Sequence, residues 1–366
     1  MDIIKATKAY EAWLRQRILV LPLDLGLKHL RMAQSPFTFL RATFYRWAQL
    51  WPRFCPELSS APAVLAVGDL HVENFGTWRD SDGRLVWGIN DFDEAASMAY
   101  TNDLVRLAAS AILAIRESHL FCDESDACGA ILTGYQEGLE AGGAPFVLAE
   151  EHRGLREWAA SEMREPRAFW EKLVKLPTVR GAVPAEVTAA LKRTFPEAGL
   201  RNRVVHRQAG LGSLGRRRFT ALAQWRGAWI AREAKELVES AWHWECGGKS
   251  GGQILYQRII HRAVRVPDPF HWASGHWVIR RIAPDCGRIE LAALPKARDE
   301  LKLLKAMGWE SANVHLGTRE AKRLVLADLR RRPKNWLRKA SGAMAEATVE
   351  DWKHWNKAVA ESRRAV

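Results

Sequence analysis

Cysteine is scarce in this chain, and none of it is paired in the spacing that chemistry usually needs. The five cysteines among 366 residues (Cys55, Cys122, Cys128, Cys246 and Cys286) form an odd set without a C-x-x-C pair. That argues against a disulfide framework and against a thiolate zinc site, and leaves reduced, partly buried thiols of a cytoplasmic protein as the expectation. Long hydrophobic runs are also missing: none approaches the roughly 20 residues that a membrane span requires. The first residues, Met1 to Lys8, lack the basic, apolar and small-residue order of a secretory leader, so neither secretion nor membrane insertion is expected. Internal repeats and low-complexity tracts are absent too. What remains is 48% hydrophobic and 27% charged, the balance of a globular protein long enough for two or three packed domains.

Basic residues are in excess. Lys and Arg number 55 against 42 Asp and Glu, for a formal charge of +13. Such a charge attracts nucleic acids, acidic protein surfaces or nucleotide phosphates, although a solvated, Arg-rich surface explains it more simply. Residues 296–366 hold 17 basic and 9 acidic residues, densest at Arg330-Arg331-Arg332-Pro333-Lys334. That stretch is the candidate for nucleic acid, but no recognisable binding module surrounds it. The 17 tryptophans are scattered singly, which suits core anchors better than a base-stacking platform.

Apolar residues recur at helical spacing over 4–20 and 37–52, the second stretch introduced by Ser35-Pro36 as a helix start. A connector with Pro52, Pro56 and Pro62 leads to Ala63–Val67, which reads as a short buried strand. Extended stretches at 75–78 and 84–89 flank Arg79-Asp80-Ser81-Asp82-Gly83, a hairpin turn by its Asp-Gly pair. Asp103 is expected to open a strongly periodic helix, and helical patterns continue to about 197. Strand-like segments follow around 203–232, at 253–261 and at 276–282, and the chain is helical again from about 296.

The segment Gly68-Asp69-Leu70-His71-Val72-Glu73-Asn74-Phe75 and the later Ile89-Asn90-Asp91-Phe92-Asp93-Glu94-Ala95 are joined by that hairpin. A hairpin returns the chain so that Asp91 leaves its second strand beside the start of the first. An acid (Asp69), an amide oxygen (Asn74) and a second acid (Asp91) are then expected to converge. Phosphoryl transfer needs such a set: a carboxylate for the acceptor hydroxyl and hard oxygens for Mg²⁺. Asp93, two residues on, shares a side of an extended chain with Asp91. Asp80 to Asp82 read as turn residues only. Glu73 and Glu94 read as solvated or Arg-paired, and His71 as stabilising its loop, since no second His stands at a ligand spacing.

A second constellation is Gly210-Leu211-Gly212-Ser213-Leu214-Gly215. G-x-G-x-x-G is weak alone, and a dinucleotide fold would need a helix to begin there. Arg216 to Trp225 lacks a helical stripe and reads as a strand, so the segment is either a phosphate-covering glycine hairpin or an ordinary hairpin loop. On the next extended piece, 228–235, Arg232 and Lys235 are both candidates for the cation that pairs phosphates. Gly247-Gly248-Lys249-Ser250 is no P-loop, because His243 stands where that motif requires glycine.

The first constellation resembles the catalytic and metal loops of the protein-kinase-like superfamily, in particular the aminoglycoside and choline kinases, with their H-G-D-x-x-x-x-N loop, hairpin and I-D-F/W-[DE] segment. Here Val67 replaces the histidine before Gly68, and Asn90 stands where an apolar residue is common. The resemblance implies Asp69 as catalytic base, Asn74 and Asp91 as Mg²⁺ ligands with Asp93 assisting, and Asp103 as the buried acid bracing the catalytic loop. It further implies that Gly210, Gly212, Ser213 and Gly215 cover the phosphates of ATP, with Arg232 or Lys235 as their cation. In that superfamily the glycine hairpin precedes the catalytic loop, whereas here it follows. The implied fold is therefore an α+β, two-lobed, circularly permuted kinase-like one: residues 1–199 a mostly helical lobe, 200–295 a smaller antiparallel-sheet lobe binding nucleotide, and 296–366 helices returning to the first lobe. Together with Arg31-Met32-Ala33-Gln34-Ser35-Pro36-Phe37, this order looks like a bacterial family of unknown function numbered 2252. The implied activity is ATP- and Mg²⁺-dependent phosphoryl transfer to a small-molecule or protein hydroxyl. AMP transfer, or a silent nucleotide- or nucleic-acid-binding module using the basic C-terminal region, are the alternatives.

Overall fold

The computed structural model describes residues 1–148, 152–161, 165–247, 252–287 and 299–364. It begins with four helices, α1 (Ile3–Arg15), α2 (Pro22–Met32), α3 (Pro36–Ala42) and α4 (Phe44–Phe54). The expected helix over 37–52 is thus two helices that part at Thr43, which has left the helical region (φ −127°, ψ 43°). Ser35 caps α3 by accepting from the Thr38 amide at 3.2 Å, with Pro36 in the first turn, as its capping chemistry predicts.

Four short strands follow, β1 (Ala63–Ala66), β2 (Phe75–Arg79), β3 (Leu85–Ile89) and β4 (Ala96–Ala99). β2 and β3 form the expected antiparallel hairpin, with Phe75 opposite Ile89. β4 was not expected from the sequence. It pairs antiparallel with β1, setting Ala66 opposite Ala96, so the loops after β1 and before β4 lie side by side. Helix α5 (Tyr100–Arg116) starts three residues before Asp103, which therefore sits within the first turn. Then come α6 (Glu124–Ala141), the two-residue β5 (Phe146–Val147) against β3, α7 (Arg153–Ser161), α8 (Pro166–Val174) and α9 (Ala185–Arg193).

A five-stranded antiparallel sheet holds β6 (Asn202–Val205), β7 (Arg218–Trp225), β8 (Ala228–Glu236), β9 (Trp272–Ser274) and β10 (Trp277–Ile282) in the order β6-β7-β8-β10-β9. Between β8 and β9 lie α10 (Ala241–Glu245) and α11 (Tyr256–Arg262). The latter corrects the strand expected at 253–261: Tyr256 and Ile259 are buried together, three apart on one helical face rather than alternating. Residues 248–250, within the rejected P-loop segment, and 288–295, at the end of the expected sheet lobe, lie outside the described residues. The chain closes with α12 (Glu300–His315), α13 (Ala321–Leu329) and α14 (Trp336–Arg364), α12 packing along α6 and α14 along α5.

The architecture is α+β with small antiparallel sheets. Its main core joins the helices to the β1–β4 region through Trp47, Trp51, Phe75, Trp87, Phe92 and Tyr100. The five-stranded sheet carries smaller apolar clusters, one using Leu191 of α9 and Ala234, the other Leu173 of α8 and Ala231. Strand alternation separates those alanines, and with them the two faces of β8.

Candidate functional site

The loop after β1 is fixed from below. Asp103 accepts from the amides of Val67 (2.7 Å) and Gly68 (2.9 Å), and His315 of α12 reaches the same carboxylate at 3.0 Å. His315 contacts the Tyr135 hydroxyl at 2.8 Å through its other ring nitrogen. Gly68 has φ +85°, and a β-carbon there would lie 2.3 Å from the Glu94 carbonyl oxygen. Only glycine lets the two loops approach this closely.

Asp69 then projects toward Arg106, a fully buried residue of α5 whose guanidinium forks onto the carboxylate, donates to the Leu40 carbonyl at 2.8 Å and lies over Trp47. Burial raises the Asp69 pKa above the usual carboxylate range, with Arg106 pulling against it. Arg106 was not singled out from the sequence. Its spacing of three from Asp103 on a helix, which puts both on one face, is the signal that could have found it.

Asn74 ties the hairpin to the loop. Its amide nitrogen donates to the carbonyls of Asp69 (3.0 Å) and Asp91 (3.1 Å), and its oxygen accepts from the Asp91 amide at 3.0 Å. Asp91 and Asp93 meet Lys235 of β8: the ammonium is 3.0 Å from both Asp91 oxygens and 2.6 Å from Asp93. The Asp91 carboxylate is 39% exposed toward the cleft, whereas Lys235 is 1% exposed. Burial opposes the Asp91 charge but Lys235 outweighs it, so the carboxyl stays ionised below its usual range; burial and the neighbouring Asp91 push Asp93 upward.

The glycine segment lies directly above. Gly210 and Gly215 have φ +72° and +98°, and the chain between them leans over the acid loop. A β-carbon on Gly212 would stand 3.5 Å from an Asp69 carboxylate oxygen. Ser213 donates to the Gly210 carbonyl at 3.3 Å and accepts from Arg218 at 3.1 Å. Helix α2, unread in the sequence, holds this flap on three sides. Lys28 donates to the Gly212 carbonyl at 2.9 Å, Leu21 to Gly215 at 2.8 Å, and Asp24 meets His206 and Gln208, both at 2.7 Å. Burial lowers the Lys28 pKa to about 8.

The two cation candidates are separated. Arg232 and Lys235 lie on opposite faces of β8, and Arg232 turns away from Asp91 to the Thr194 carbonyl (3.1 Å) and the Phe270 ring (4.1 Å). On the Lys235 face, buried Glu233 gathers three arginines: Arg207 at 2.8 and 2.9 Å, Arg280 at 3.0 and 2.8 Å, and Arg218. Burial opposes the Glu233 charge, but the guanidiniums hold its pKa well below normal. These arginines, with Asp91 and Asn74, line a cleft of about 350 Å³. Cross-strand clustering of this kind has no signature in local sequence.

Glu73 and Glu94, expected to be solvated or Arg-paired, are both buried and paired, with Arg41 at 2.6 Å and Arg216 at 3.2 Å. The His71 ring accepts from the Glu73 amide at 3.2 Å. Within the basic C-terminal stretch, Arg332 is spent on Asp328 (2.6 Å) and packs on Trp336, while Arg330 and Arg331 are exposed. All five cysteines are free thiols. Among the described residues no helix is long and apolar enough to cross a membrane, and no cluster of three His, Cys, Asp or Glu side chains is arranged to hold a metal.

Fold and site together define an α+β protein in which an arginine-walled cleft at Asp91 and Asn74 adjoins a smaller space of about 70 Å³ that holds Asp69 and Asp93 beneath the glycine segment. Residues 20–165, which carry Asp69, Asn74, Asp91 and Asp93, match the model of a family described as uncharacterised proteins conserved in bacteria (DUF2252). No curated protein and no solved structure matches the chain.

Proposed function

We propose that this chain is an ATP- and Mg²⁺-dependent phosphotransferase with a circularly permuted protein-kinase-like fold, acting on a hydroxyl of a small molecule or protein. The observation that carries the reading is the meeting of three segments distant in sequence: the Asp69 loop, the Asp91–Asp93 segment held by Lys235, and the glycine flap over both. Asp69 orients the acceptor hydroxyl and takes its proton as the acceptor oxygen bonds to phosphorus and ADP departs; its raised pKa suits a base that must bind that proton. Lys235 and the Glu233-anchored arginines offer positive charge to the phosphates, and the flap excludes water. The donor set suits Mg²⁺, since Asp91, Asp93 and Asn74 present hard oxygens and Asp91 opens on the cleft. Those three residues would hold the ion, which when bound neutralises charge on the phosphates.

The test is a thermal-shift titration with Mg·ATP, paired with mass spectrometry of candidate acceptors. The expected result is a rise in melting temperature that Asp91→Asn abolishes and that Asp82→Ala, at the exposed hairpin tip, retains. Equal responses of the two variants would refute the reading. An acceptor gaining the mass of AMP rather than phosphate would replace phosphoryl by adenylyl transfer.

A further inference from the structure

The face of β8 that turns away from Lys235 carries a second pocket of about 350 Å³, lined by Arg193, Arg232, Phe195, Phe270, Trp272 and the prolines beside them. Its charge is not balanced. Arg232 is 6% exposed, and among the described residues it donates only to backbone carbonyls, Thr194 at 3.1 Å and Ala231 at 2.9 Å. Neither Arg232 nor Arg193 has a carboxylate within salt-bridge distance among the described residues. Arg232 stands directly across the sheet from Arg281, a like-charge pairing that destabilises a sheet unless something offsets it. Phe270 lies beneath both guanidiniums, at 4.1 and 4.9 Å. Asp268 stands 3.9 Å from Arg281 and offsets part of the Arg232 charge through space. The Thr194 carbonyl, just past the end of α9, supplies partial negative charge only. Burial and Arg281 together lower the Arg232 pKa to about 10, with Asp268 opposing them only in part.

The rest of the lining is aromatic and flat. Arg193 lies over Trp272 with its guanidinium carbon 4.9 Å from the ring, and Phe195, Pro196 and Pro269 complete apolar walls. A guanidinium resting on an aromatic ring keeps its in-plane N–H donors free for an anion. The Nη2 group of Arg232 makes no hydrogen bond among the described residues.

We propose that this pocket is a second ligand site, separate from the cleft at Asp91, that takes a small phosphate-bearing aromatic molecule. Arg232 and Arg193 pair the phosphate, and the aromatic body seats against Trp272 and Phe195. The site stands independently of the activity proposed for the cleft. It also gives Arg232 a role that the cleft does not, because β8 alternation sends its side chain to the other face.

Calorimetric titration with phenyl phosphate tests the proposal, with inorganic phosphate as the second probe. The wild-type chain is expected to bind phenyl phosphate with one-to-one stoichiometry at this pocket, and Asp91→Asn to bind it equally well. Arg193→Ala, at an exposed position, is expected to melt as the wild type does and to weaken binding at least tenfold, and Arg232→Gln to abolish it. Trp272→Leu is expected to weaken phenyl phosphate at least fivefold and leave inorganic phosphate unchanged. Wild-type affinity in Arg193→Ala, or loss of binding in Asp91→Asn, would overturn the site. Equal affinity of the wild-type chain for the two probes would overturn the aromatic ligand class.

Discussion

Glu310 of α12 provides a stability test that reaches the candidate site from behind. Its carboxylate accepts from the Ile89 amide at 3.1 Å and from Asn313 at 2.7 Å, two residues before Asp91 leaves the hairpin. Burial, only partly offset by Asn313 and Arg265, raises its pKa from 4.5 to about 7. A raised acid binds more protons folded than unfolded between those values, so stability falls as pH rises from 4.5 to 7 and the loss is complete above 7. The shift corresponds to about 3 kcal/mol. Glu310→Gln keeps the shape and an acceptor for Ile89 but cannot titrate. Urea unfolding of both proteins at pH 4 and pH 8 isolates the group, because other titrating residues, Glu94 among them, cancel in the comparison. Relative to wild type, the variant is expected to gain about 3 kcal/mol between the two conditions. A stability difference that stays constant to within about 0.5 kcal/mol would refute the reasoning.

Further outcomes follow from single contacts. Lys235→Met leaves Asp91 and Asp93 facing each other without their cation, and should cost about 3–5 kcal/mol in Mg²⁺-free buffer; Mg²⁺ is expected to restore part of that in a melting assay, and an undiminished melting temperature without Mg²⁺ would mean that the ion pair does not form in solution. Gly68→Ala and Gly83→Ala compare two left-handed glycines, at φ +85° and +76°, of which only the first would drive a β-carbon onto backbone, the Glu94 carbonyl at 2.3 Å. The Gly83 variant should lose about 1 kcal/mol and the Gly68 variant about 3 kcal/mol or more, measured by denaturant unfolding. Equal losses would show that the two loops do not touch.

The parts of the site that the sequence made legible are those whose geometry is local. Asp69, Asn74 and Asp91 come together through one hairpin, whose Asp-Gly turn and flanking apolar strands are readable by eye. Local sequence does not choose between Arg232 and Lys235, because the choice turns on the parity of β8, and a shift of one residue in a strand exchanges its faces. Arg207, Arg218 and Arg280 are spread over 73 positions and converge on Glu233 only once strands β7, β8 and β10 are in register. α11 was misread because a short apolar run bears no period long enough to distinguish strand from helix. Asp103 was recognisable as a brace, but not the His315 that holds it from 212 positions away.

That last distance bears on how the protein is made. During synthesis the Asp69 loop and its hairpin leave the ribosome early, yet Lys235, Glu310 and His315 are translated 144, 221 and 212 positions after their respective partners Asp91, Ile89 and Asp103. Until those residues emerge, the nascent chain carries Asp91 and Asp93 without their ammonium and an apolar hairpin without its α12 cover. A ribosome that stalls before residue 300 therefore presents an unassembled site, and chaperone demand should be greatest over that interval.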